Sequence, residues 1–212
     1  MNLLRFINKW SYSCAKGLSS VLEESHQKKA EYYFGFQVAI GSIVKTGLLI
    51  AVSTVFGVLL PTLIVSITFA LLRKVAGGYH MDTYGKCLLV SIGFFVAAAL
   101  IAKHTYAYWS ITWLIILITI IFIIALHILI KYAPKDTPNR LITDSQEKLR
   151  FKKLSVLYIC VWLIVVTILT VLGLKMYTLL LCFSVLQELF AITPTGHKFF
   201  DIIKNGLTAN GR

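Results

Sequence analysis

The chain has 212 residues, 58% of them hydrophobic and only 14% charged, with a formal net charge of +12. So apolar a composition excludes an ordinary soluble domain, and no linker is long enough to divide the chain, so residues 1–212 read as a single integral membrane domain. The expected fold is all-α: a polytopic bundle of about six transmembrane helices preceded by an amphipathic helix.

In chain order, residues 1–33 form an interfacial segment. Leu3, Ile7, Trp10, Cys14, Leu18 and Val21 recur at steps of three and four opposite polar positions, which predicts an amphipathic helix lying on the inner leaflet. The segment lacks an uninterrupted apolar core and a small-residue cleavage site, so it does not read as a signal peptide. Residues 34–212 form the bundle. Crossing the hydrocarbon takes roughly 20 residues per helix, fewer where flanking lysines and arginines snorkel, and the apolar runs predict helices at 36–56, 58–75, 87–102, 109–131, 154–173 and 176–193. The stretch from Phe36 to Leu72 reads either as two short spans around Gly57 and Pro61 or as one span starting near Leu48. After the fourth span, Pro134 and Pro138 stop the helix, and a charged run from Asp144 to Lys153 follows.

Charge favours six spans. With both termini inside, all of the 21 lysines and arginines except Lys45, Lys103 and Lys175 fall on the cytoplasmic side, whereas five spans would put the basic N-terminal segment outside. The net charge then reads as contact with anionic lipid headgroups, or as attraction of an acidic peptide. No nucleic acid is expected as partner, because the basic residues are spread over four segments without a binding motif. The four cysteines show no CxxC spacing, and Cys160 and Cys182, within apolar spans, read as small core residues.

The chemistry concentrates in one polar interruption, Arg73-Lys-Val-Ala-Gly-Gly-Tyr-His-Met-Asp-Thr-Tyr-Gly-Lys-Cys87. A free thiol, with a pKa of roughly 8.5, needs a base or nearby positive charge to act as a nucleophile at neutral pH. His80 can supply the base, and Arg73, Lys74 and Lys86 the charge. In an unbroken helix, seven residues would separate His80 and Cys87 by roughly 10 Å along the axis, too far for a hydrogen bond. A break is therefore expected, at Gly77 and Gly78 and at Gly85, with Cys87 near a helix start. Asp82 reads either as the group orienting the base or as a cap. From the residues alone, the same interruption also reads as an ordinary cytoplasmic turn with Cys87 in a packing role.

The run Arg73-Lys-x-Ala-Gly-Gly-x-His, followed by six residues and Cys87, resembles the signature of the AgrB (accessory gene regulator B) family of membrane endopeptidases in peptide quorum sensing. Glu31-Tyr-Tyr-Phe-Gly35, Tyr132-Ala-Pro-Lys-Asp-Thr-Pro138 and the stretch from Gln187 to Pro194 extend the resemblance along nearly the whole chain. One departure is Arg140-Leu141, where family members often carry Lys-Pro.

The resemblance implies a thiol protease of the bacterial cell membrane whose active site faces the cytoplasm and which needs no cofactor. Its substrate would be a short precursor peptide with an amphipathic leader and an acidic C-terminal tail. Cys87 would attack the scissile carbonyl and His80 would move the proton; a cysteine or serine of the peptide would then displace the acyl group as a cyclic thiolactone or lactone. Arg73 and Lys74 would bind the acidic tail or else mark the membrane boundary. Lys45, inside a span, would contact substrate or snorkel. Gln187 and Glu188 pose the same question, with Glu188 able to pair with a basic side chain, while His104, His127 and His197 read as structural. Gly- and Ala-containing spans also admit a homodimer. The rival reading is a non-catalytic transporter or partner-binding subunit, which should carry more polar residues inside its spans. A metalloprotease is disfavoured by the lack of HExxH or comparable clustered ligands.

Overall fold

The computed structural model describes residues 3–22, 25–79, 81, 83–135 and 144–209. Among these, eight α-helices follow one another: α1 (Leu3–Val21), α2 (His26–Val55), α3 (Leu59–Ala76), α4 (Tyr84–Thr105), α5 (Ile111–Tyr132), α6 (Ser145–Val171), α7 (Lys175–Ile192) and α8 (Pro194–Ala209). A 3₁₀ turn spans Tyr106–Tyr108, and no strand occurs among the described residues. Helices α2 to α7 are long and apolar enough to cross a membrane. The fold is thus the expected all-α bundle with six candidate spans.

The ambiguous stretch before residue 72 divides in two. Gly57 takes φ 63° between α2 and α3, a conformation glycine adopts without a Cβ clash. Pro61 lies in the first turn of α3, where its missing N–H has no intrahelical acceptor to lose. The polar flanks depart from expectation. Helix α2 begins at His26, ten residues before the predicted start, and its 30 residues make it about 45 Å long, well beyond the ~30 Å hydrocarbon core. Helix α6 likewise starts at Ser145, capped by Asp144, whose Oδ1 accepts from the Gln146 N–H at 2.9 Å. The charged run 144–153 is therefore largely the solvated beginning of a spanning helix. Helix α5 ends at Tyr132, ahead of Pro134 as expected; Pro138, Arg140 and Leu141 lie outside the described residues.

The overhang of α2 receives α1. Ile7, Ser11, Ala15 and Ser19 form its buried face, and Gln37 Nε2 donates to Asn8 Oδ1 at 2.8 Å. This face shares only Ile7 with the predicted apolar stripe. Trp10 is 54% exposed and Val21 79% exposed, because small residues at steps of four permit the closer helix contact.

Helix α7 is the centre of the bundle. Within its most apolar stretch 56% of residues are buried, against 17% for α2. On one side it packs with α3, α5 and α6 around Leu72, Ile121, Leu129, Ile159 and Trp162. On the other it meets α3 and α4 around Val65, Ile92, Phe95 and Leu180, in a cluster that also takes in Leu49 of α2. Lys103 Nζ donates to the Gly57 carbonyl at 2.9 Å, joining the α2–α3 connection to the last turn of α4 at one end. At the other end, the Tyr79 N–H reaches the Ala191 carbonyl at 3.0 Å and the Lys135 N–H reaches the Ala76 carbonyl at 2.9 Å. Cys182 is buried as expected, but Cys160 is exposed on the outer face of α6; a helix apolar on all sides conceals which side meets the bundle.

Candidate active site

The break predicted after α3 is present. The helix stops at Ala76 with Gly77 as its C-cap, at φ 78°. Gly78 follows at φ 144°. A Cβ on Gly77 would collide with the Lys135 carbonyl, and one on Gly78 would come within 2.6 Å of Arg73 Nη1 and 3.2 Å of Glu188 Oε1. Both glycines therefore shape the segment rather than line a binding surface. Gly85, the other expected break, lies instead in the first turn of α4.

Cys87 also lies in that first turn. Thr83 is the N-cap, with its hydroxyl oxygen facing the Lys86 N–H at 3.5 Å, and the Cys87 N–H donates to the Thr83 carbonyl at 3.1 Å. Cys87 thus follows closely on Tyr84 and Gly85, whose amides have no acceptor within the helix, near the positive end of the α4 dipole. The side chain is half-buried. His80 and Asp82 lie outside the described residues. Their neighbours Tyr79 and Met81 line the same cavity as Cys87.

That cavity has a volume of about 500 Å³ and lies between α2, α3, α4 and α7. Of the residues singled out in the sequence, it brings together Cys87, Arg73, Lys45 and Gln187. Lys74 is exposed and lies off its wall. Lys45, near the middle of its span, is one of the residues that line the cavity. No carboxylate lines the cavity among the described residues. Gln187 Nε2 donates to the Phe94 carbonyl at 2.8 Å, while its Oε1 is buried with no hydrogen-bond partner among the described residues.

Arg73 is committed within the protein. One guanidinium nitrogen contacts Glu188 Oε2 at 3.4 Å, and another donates to the Tyr79 carbonyl. The Phe69 ring lies 5.6 Å from the guanidinium carbon. Glu188 does pair with a basic side chain, and that partner is Arg73.

Two features escaped the sequence reading. Tyr79, an unassigned position in the motif, stacks on Phe200 with ring centroids 5.3 Å apart, and its hydroxyl donates to Asp201 at 2.6 Å. Phe200 belongs to α8, which turns back over the site and contributes to the cavity wall. The available signal was Thr193-Pro194, a cap followed by the favoured first helical residue, ahead of Phe199, Phe200, Ile202 and Ile203. His197, also on α8, meets the Tyr79 ring at 5.1 Å. Burial first, then the Lys135 charge, holds its imidazole below the usual histidine pKa against the opposing effect of Asp201. No group of three or more potential metal ligands occurs among the described residues.

The family described as AgrB, accessory gene regulator B, matches residues 8–192. Putative AgrB-like protein 2 of Clostridium perfringens (strain 13 / Type A) is 28% identical over 71% of each chain. Accessory gene regulator protein B of Staphylococcus lugdunensis is 31% identical over 59% of this chain and 64% of its own. Protein FsrB of Enterococcus faecalis (strain ATCC 47077 / OG1RF) is 30% identical over 53% of this chain and 45% of its own. No solved structure matches. With six candidate spans and a family match over most of its length, the chain belongs to the accessory gene regulator B family, the multi-pass membrane proteins of quorum-sensing peptide processing.

Proposed function

We propose that this protein is a membrane cysteine endopeptidase that cleaves the C-terminal tail from a short autoinducing-peptide precursor and releases the remainder as a cyclic thiolactone or lactone. The observation that carries this reading is the position of Cys87, half-buried at a helix start on the wall of a cavity large enough for several side chains. Cys87 Sγ attacks the scissile carbonyl as its proton passes to His80. The collapsing intermediate expels the tail as an amine, which takes that proton, and leaves a thioester on Cys87. A cysteine or serine of the bound peptide then attacks the thioester, forming the ring and returning the thiol. The Cys87 and Lys86 amides are engaged by Thr83, so the oxyanion donors at the start of α4 would be the Tyr84 and Gly85 amides. The site lies on the cytoplasmic side, where the basic residues gather.

The second step competes with hydrolysis. An intramolecular nucleophile reaches effective molarities of roughly 10⁵ M when correctly placed, well above water, so the cavity acts by holding the peptide in a folded pose. Its largely apolar wall suits a hydrophobic segment. Lys45 provides a cation with no carboxylate beside it on that wall among the described residues.

The test is processing of a synthetic precursor peptide by purified protein in lipid nanodiscs, followed by mass spectrometry. Wild type should produce the shortened, cyclised peptide, Cys87→Ala should reduce its rate by about 10⁴-fold or more, and Cys160→Ala should leave it unchanged. Equal processing by wild type and Cys87→Ala would refute the thiol mechanism.

A further inference from the structure

Glu188 is fully buried on the most enclosed helix of the bundle. An ion pair there has no general advantage in stability over apolar side chains of the same volume, and ionisable groups inside spans are costly enough to demand a specific reason. The geometry around Arg73 supplies one. Its planar fork engages two partners at once, Glu188 Oε2 from α7 and the carbonyl of Tyr79, and such a fork fixes both directions in a way a lysine ammonium does not. Three residues beyond Glu188 on the same helix, the Ala191 carbonyl accepts the Tyr79 N–H at 3.0 Å. Both backbone polar groups of Tyr79 are therefore tied to α7, one directly and one through Arg73.

The tie lies beside the chemistry. The Tyr79 carbonyl belongs to the peptide unit whose nitrogen is that of residue 80, and Tyr79 shares the cavity wall with Cys87. Gly78 leaves the room for it, since a Cβ there would press on both Arg73 Nη1 and Glu188 Oε1. We propose that Glu188 is a positioning residue which, through Arg73, holds the Tyr79 carbonyl and so fixes the Tyr79 backbone on the wall of the Cys87 cavity. This rests on the thiol-protease reading above. Glu188 is not among the residues that line the cavity and acts through Arg73.

The experiment measures steady-state kinetics of precursor processing in nanodiscs for wild type, Glu188→Gln, Arg73→Lys and Cys87→Ala, with thermal unfolding midpoints alongside. Glu188→Gln keeps the shape and removes the charge; Arg73→Lys keeps the charge and removes the fork. Both should lower kcat by about 10- to 100-fold, the scale of a small misplacement of reacting groups, with KM within about twofold of wild type. If Glu188→Gln does not fold, Arg73→Lys, which retains a cation beside Glu188, carries the test. Wild-type kcat in either folded variant would overturn the proposal, as would a rise in KM at constant kcat, which would make Arg73 a substrate contact. A dead Cys87→Ala with fully active Glu188→Gln and Arg73→Lys refutes the tie alone. An active Cys87→Ala refutes the thiol mechanism and the tie together.

Discussion

The two sides of α7 differ in how they are filled. Toward α5 and α6, side chains such as Ile159 and Trp162 close into a continuous apolar core. Toward α2 and α4, the same central helix borders a cavity of about 500 Å³ with Lys45, Arg73, Gln187 and Cys87 on its wall. Helix α2 touches α3 and α4 over few residues and spends most of its contact on α1. One side is filled scaffold and the other holds the proposed site. Hydropathy reflects this division in an unexpected direction: α5 has a mean hydropathy of 3.1 with 28% of its stretch buried, whereas α7 has 1.4 with 56% buried. In a bilayer the most apolar helix can face lipid, while polar side chains need the protein interior, where partners are available.

The largest effect is expected from Gly78→Ala on the cavity side. The positive φ and the approach to Arg73 Nη1 should cost about tenfold or more in processing rate. Gly93→Ala, where a Cβ meets nothing within 4 Å, should stay within about twofold; equal effects from both would remove the special status of position 78. Next, Lys45→Met should raise KM by about tenfold, the scale of one charge-assisted contact, with kcat less affected, as read from initial rates over a range of peptide concentrations. A purely snorkelling lysine would leave KM unchanged.

On the scaffold side, Ile159→Ala should destabilise the fold by about 2–5 kcal/mol through the cavity it leaves, measured by unfolding in detergent, while kcat per folded molecule stays at the wild-type value. A change in kcat would mean that the two sides are not separable. The smallest effect concerns α8. Because the His197 pKa is lowered in the folded protein, the unfolded chain binds a proton that the folded one resists, so stability falls as pH drops below about 6.5. His197→Gln should flatten the dependence of the unfolding midpoint between pH 7 and pH 5.5. An unchanged slope would place the sensitivity on other groups.

Much of this arrangement was legible in the sequence. Gly57 and Pro61 marked a real division, Gly77 marked a real helix end, and Lys45, Arg73, Gln187 and Cys87 do share one cavity. What was not legible came from features that composition does not encode. The solvated extension of α2 carries Lys28, Lys29 and Glu31, so a hydropathy window ends where the helix continues. Small residues, rather than the apolar stripe, bury α1 because they allow close approach. Tyr79 acquires its importance from backbone bonds to Arg73 and α7, and a backbone partner leaves no mark on residue type.

The central claim is that Cys87 carries the peptide as a thioester, and the most direct measurement is intact mass spectrometry of acid-quenched enzyme during turnover of a synthetic precursor peptide, followed by peptide mapping. A mass increment equal to the precursor minus its tail, located on Cys87 and absent from Cys87→Ala, is the predicted result. Cyclic product accumulating with the same increment on a different residue, or in a Cys87→Ala enzyme that turns over normally, would contradict it.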